Sequence, residues 1–124
     1  YDIVLPSLKF KFFDNPNIVK IVKVKNKIIY FSRSKVPFPF VKEPKFYLKH
    51  LSVISFKHQA LRKFKRLKQS KLEKIEGIEL MRALENGMNI GTFDLSGQSF
   101  SVDTNRDFYK AQKSMISDKF RKLY

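Results

Sequence analysis

Cysteine is absent from the chain, which excludes a disulfide framework and any thiolate metal site. Only two histidines are present, His50 and His58, and two imidazoles cannot complete a zinc site unaided. Glycine is scarce as well: the chain has four, none grouped into a loop that would cradle a phosphate. No serine, histidine and acid stand together in a context usable for nucleophilic catalysis. No apolar run approaches the roughly 20 residues needed to span a bilayer. The opening YDIVLPSLKF lacks the charged-then-apolar order of a signal peptide. These absences lead us to expect a soluble, cytoplasmic protein without a membrane partner. A length of 124 residues fits one compact domain, or part of one, with a core that needs no covalent staple.

Acidic residues are few too, with 11 Asp and Glu against 26 Lys and Arg and a formal charge of +15. Such an excess raises a basic nucleic-acid-binding module as the alternative reading, because lysines gathered on one face release counterions from phosphates. The lysines are dispersed, however, through strand-like VKIVKVKNK, helix-like FKHQALRKFKRLKQSK and the C-terminal stretch. Solvated faces account for that pattern without a partner. Thirteen Phe and five Tyr offer stacking surfaces for single strands, yet most stand in apolar alternation that suits a core. No sequence-specific nucleic-acid partner is expected.

The pattern along the chain is mixed α and β, without internal repeats or low-complexity linkers. Ile3 to Phe10 is a short apolar stretch, Asp14-Asn15-Pro16-Asn17 a turn cluster, and Ile18 to Lys25 β-branched with intermittent lysines. Asn26-Lys27 reads as a hairpin turn into IIYFS. SRSKVPFPFVKEP carries Pro37, Pro39 and Pro44, so it is expected to be an extended arm and not a central strand. Tyr47 to Phe56 returns to strand character, and His58 to Lys68 reads as a helix.

Ser70 opens a second helix, with Glu73 completing a capping box and Gly87 placed to end it. Glu73, Glu76 and Glu79 recur at three-residue steps along it. They are either a solvated stripe beside many lysines or, for one of them, a carboxylate aimed into a cleft. Downstream, Asp103 sits in GQSFSVDTNRDFYKA between an apolar approach and a helix-like run that Asn105 would cap, with Asp107 in its first turn. Asp103 is thus an ordinary turn residue or a functional carboxylate at a strand-to-helix junction.

NPNIVKIV, IIYFSRSKVPF, YLKHLSVISF, SKLEKIEGIELMRALENG and SFSVDTNRDF, in that order and spacing, resemble the C-terminal half of the 3-deoxy-manno-octulosonate (Kdo) cytidylyltransferases, also called CMP-Kdo synthetases. The resemblance implies the C-terminal part of an α/β nucleotidyltransferase fold, Rossmann-like with a mixed sheet and a dimerisation arm. Residues 1–124 would be the sugar-binding and dimerisation portion, without the N-terminal nucleotide-binding half. The implied reaction is transfer of CMP from CTP to Kdo or a close ulosonic acid, for lipopolysaccharide or other surface polysaccharide, by a magnesium-dependent homodimer. Carried over by position, the resemblance makes Arg33 and His50 contacts of the acidic sugar, Glu79 an acceptor for sugar hydroxyls, and Asp103 a catalytic magnesium ligand.

Two positions depart from the family pattern. Ile54 stands where a tyrosine is common four residues after the LKH histidine, and Leu80 where a glutamine often follows the sugar-binding glutamate. Loss of two polar contacts points either toward a Kdo variant or another ulosonic acid as the acceptor, or toward a non-catalytic role.

Overall fold

Apolar and β-branched residues draw Ile3–Phe10 into the first strand, β1, around which the rest of the chain assembles. The computed structural model describes residues 1–11 and 15–121. Strands β2 (Lys20–Val24) and β3 (Lys27–Ser32) form the expected hairpin, with the turn at Lys25-Asn26, one residue before the expected Asn26-Lys27. Its turn holds Lys25 in the left-handed region, at φ 53°. Asn15 opens the turn that precedes β2, its carbonyl accepting from Ile18 N–H at 3.2 Å. Asp14, the first residue of the expected turn cluster, lies outside the described residues.

The single strand expected over 47–56 is two, β4 (Tyr47–His50) and β5 (Ser55–Phe56). Both lie antiparallel to β1, β5 against Ile3 and Val4, β4 against Ser7 to Phe10. Pro6 sits in the gap between them. It has no N–H to offer a ladder partner, and its carbonyl accepts instead from Leu51 N–H at 3.2 Å. The last strand, β6 (Ile90–Leu95), runs parallel to β1. The sheet order is β4-β2-β3-β6-β1-β5, and the further pairing of β4 with β1 closes five of the strands into a ring.

Helix α1 (His58–Arg66) lays Ala60 and Phe64 into the core. The one long helix expected from Ser70 to Gly87 is two short ones, α2 (Lys71–Glu76) and α3 (Met81–Glu85). Gly77 divides them by taking the left-handed conformation at φ 63°, with its N–H on the Glu73 carbonyl at 2.8 Å. The capping box of Ser70 and Glu73 is formed, and Gly87, at φ 70°, follows the end of α3. Ile3, Leu5, Ile28, Phe31 and Ile90 from the strands meet Phe64, Ile78, Leu80 and Met81 from the helical layer in one cluster. Leu80, a departure from the family pattern, is therefore a core residue.

The final helix, α4 (Asn105–Ile116), begins one residue earlier than the expected cap implies. Thr104 is its N-cap, because Thr104 and Asp107 satisfy each other in a second capping box that Asn105 cannot make. No α4 side chain is buried. The proline-bearing arm forms neither helix nor strand and leaves Phe38, Phe40 and Val41 at 75%, 89% and 93% exposure. Among the described residues no helix is long and apolar enough to cross a membrane.

Candidate active site

A cleft opens where the end of β1, the turn before β2, the end of β4 and the face of α4 converge, with the loop 97–101 as its rim. His50 and Asp103 both line it. Strand β4 delivers His50 at its last residue, fixed by a main-chain bond from His50 N–H to the Val19 carbonyl at 3.0 Å. The imidazole stands nearly edge-on to Phe31, 6.1 Å between centroids at 78°. Nδ1 is buried and has no hydrogen-bond partner among the described residues.

Burial pushes the His50 pKa below its ordinary 6.5; a backbone contact with Leu51 offsets part of this, and the charge of Arg33 adds to the depression. The ring is therefore neutral at neutral pH. A neutral imidazole offers one donor and one acceptor, which suits a hydroxyl better than it suits an ion pair with a carboxylate.

Asp103 is exposed and immediately precedes the Thr104 cap. Its carboxylate makes no hydrogen bond or ion pair among the described residues. Asp107, which lines the same cleft, is not free in that way. It accepts from the Thr104 hydroxyl at 2.7 Å and from the Thr104 amide at 3.1 Å, and the hydroxyl bond holds its pKa below the ordinary 3.8. No cluster of three or more metal-ligating side chains occurs among the described residues. One uncommitted carboxylate fits a magnesium site completed by water and substrate phosphates, since this ion commonly takes only one or two protein carboxylates.

Arg33 and Glu79 do not line this cleft. The Arg33 guanidinium is committed to main-chain oxygens: Nε to Glu76 at 2.8 Å, Nη1 to Pro16 at 2.7 Å and Nη2 to Gly77 at 3.1 Å. Glu79 lies in the turn between α2 and α3, its side chain 70% exposed and 3.8 Å from the Arg82 guanidinium. Because Gly77 breaks the helix, the three glutamates do not form one stripe. Glu73 is buried against Arg82, and Glu76 accepts from the Ser32 hydroxyl at 2.8 Å and from Arg33 N–H at 3.0 Å.

Lys49 and Lys110 are cleft residues that sequence reasoning passed over. The position of Lys49 beside His50 in LKH was the available signal for it. Ile54, the other departure from the family pattern, lies in the break between β4 and β5.

The mixed sheet with its helical layer is an α/β nucleotidyltransferase-like fold. A family model described as cytidylyltransferase matches residues 7–90, and the chain belongs to that family. It is 42% identical over 116 residues to the 3-deoxy-manno-octulosonate cytidylyltransferase of Rickettsia prowazekii, covering 91% of this chain and 46% of that protein. The enzyme of the same name from Thermodesulfovibrio yellowstonii is 41% identical over 110 residues, 83% of this chain and 43% of the relative. Among solved structures, CMP:2-keto-3-deoxy-manno-octonic acid synthetase complexed with CTP superposes with a TM-score of 0.82 at 28% identity, covering 93% of this chain and 49% of that one. The chain thus spans just under half the length of these relatives.

Proposed function

We propose that this chain forms the acidic-sugar side of a cytidylyltransferase that transfers CMP from CTP to Kdo or a close ulosonic acid, releasing pyrophosphate, in surface-polysaccharide biosynthesis. Family membership and the names of its relatives support the reaction class. The observation that carries the site is the meeting of His50 and Asp103 in one cleft, from positions 53 residues apart (103 − 50) on β4 and before α4. The proposal treats the chain as about half of the enzyme, in keeping with the 46% and 43% of the two relatives that it spans. Its described residues contain no glycine-rich phosphate cradle, so the triphosphate would be held by residues outside it.

In this reading the anomeric hydroxyl of the sugar attacks the α-phosphorus of CTP, a new P–O bond forms and the bond to pyrophosphate breaks. Neutral His50 orients a sugar hydroxyl at the floor of the cleft. Asp103 would hold magnesium, whose contribution when bound is to neutralise phosphate charge as it shifts toward the leaving group. Rate enhancement then comes from positioning and electrostatics, as in other phosphoryl chemistry. A role for Arg33 at the sugar carboxylate requires its guanidinium to exchange a main-chain oxygen for the ligand, and Glu79, outside the cleft, has no part in this reading.

Homodimerisation through the exposed phenylalanines of the arm and a cytoplasmic location complete the proposal. Its test is CMP transfer by the enzyme that contains these residues, assayed with Kdo and with nonulosonic acids in parallel. Product with one of these acids is expected; a protein that binds CTP yet transfers CMP to neither contradicts it.

A further inference from the structure

We infer that Lys49 and Lys110 form an anion subsite in the cleft beside His50, and that it takes the carboxylate of the acidic sugar. This inference rests on the reading of the cleft as a sugar site. It answers a question left by the geometry, namely which cation meets the carboxylate when Arg33 is engaged with the oxygens of Pro16, Glu76 and Gly77. Neutral His50 cannot supply that charge.

The two lysines reach the cleft from different elements, Lys49 from β4 and Lys110 from α4. Both ammonium groups meet neighbouring residues of the rim loop: Lys49 Nζ donates to the Ser99 carbonyl, and Lys110 Nζ lies 4.4 Å from the centroid of the Phe100 ring. The loop thereby holds two cations toward one space, and neither is in an ion pair among the described residues. Asp107 feels the charge of Lys110, but its carboxylate is occupied by Thr104. Lys9, another cation of the cleft, faces Asp94 at 3.9 Å.

Partial burial, with repulsion from Lys110 as the second cause, depresses the Lys49 pKa. Two like charges directed into one cleft carry an electrostatic cost that a bound anion removes. A carboxylate also suits this setting chemically. It offers two oxygens, one for each ammonium, in charge-assisted hydrogen bonds that are stronger than neutral ones. Lysine, a point charge on a flexible stem, does not need the flat bidentate geometry that arginine does.

Titration calorimetry of the full chain at low salt, with Kdo and with its methyl ester, tests the inference. Wild type is expected to prefer Kdo to the uncharged ester, and Lys49→Gln and Lys110→Gln each to weaken Kdo binding about tenfold while erasing that preference. Lys49→Arg is expected to restore it. A purely structural role would weaken both ligands equally and so overturn the inference. Equal Kdo binding by wild type and the glutamine variants would also overturn it, with the sugar-site reading left standing. Loss of pyrophosphate binding with Kdo binding intact would reassign the lysines to the nucleotide. Absence of Kdo binding in wild type would overturn the inference and the sugar-site reading together.

Discussion

Arg33 and Glu76 are joined twice, once through the Arg33 main-chain N–H on the Glu76 carboxylate at 3.0 Å and once through Arg33 Nε on the Glu76 carbonyl at 2.8 Å. With the Ser32 hydroxyl on the same carboxylate, the end of β3 is fastened to the end of α2. Glu76→Ala would strip the acceptor from Ser32, a buried residue, and from a partly buried amide. A loss of about 2 kcal/mol is expected for such unsatisfied groups. Glu76→Gln, which keeps a carbonyl oxygen, should lose less. Urea denaturation of both variants measures the difference, and an alanine variant as stable as wild type would remove the latch from the account.

Acid stability should depend on Glu73. Its carboxylate is buried, takes both Nε and Nη2 of Arg82, and accepts from Ser70 N–H at 3.2 Å, so its pKa falls below the ordinary 4.5, the bond from Arg82 being the largest cause. A depressed carboxylate contributes stability that is fully present above its unfolded pKa. That contribution is lost as pH falls from about 4.5 through the folded value. Glu73→Gln should therefore be less stable than wild type at neutral pH by about 2 kcal/mol and should lose less on acidification. Thermal melts between neutral pH and pH 3 read the two slopes; parallel slopes would assign the acid sensitivity to other groups.

The two glutamates also show what sequence pattern conveys and what it does not. The Ser70 capping box, the Asn26 hairpin and the strand at Ile3–Phe10 were legible because each depends on neighbouring residues alone. The break at Gly77 was harder to read, since a lone glycine is tolerated inside many helices, and the left-handed turn it takes here is not signalled by the apolar period around it. The division of 47–56 depended on Pro6, some 40 residues away, which no local window contains. At the site, the family motifs singled out Arg33, His50, Glu79 and Asp103 alike, and only His50 and Asp103 line one cleft. The motifs did not reveal that Arg33 is bound to three main-chain oxygens, nor that Lys49 and Lys110 share a rim loop.

The arm should mediate self-association. Phe38 and Phe40 are exposed within three residues of each other, beside exposed Val41, a patch that a second copy would cover. Phe38→Asp with Phe40→Asp is expected to shift a dimer to monomer in light scattering. An unchanged mass after both substitutions would place the interface elsewhere.

Duplex DNA should bind weakly and without sequence preference. Helix α1 and its flanks, from Lys57 to Lys71, carry seven Lys and Arg and no acid, enough for the electrostatic term alone. Affinity measured by fluorescence anisotropy should collapse between low and physiological salt. Tight, sequence-selective binding at physiological salt would favour the nucleic-acid module over the transferase.

Activity of the Asp103→Asn variant, in the enzyme that contains this chain, tests the central claim most directly. Asp103 is exposed and its carboxylate makes no hydrogen bond or ion pair among the described residues, so the isosteric change should leave the fold and its melting temperature intact. If its carboxylate holds the magnesium ion, CMP transfer from CTP to the acidic sugar should fall about 100-fold or more, with excess magnesium restoring little of it. Full activity of Asp103→Asn across magnesium concentrations would contradict the account.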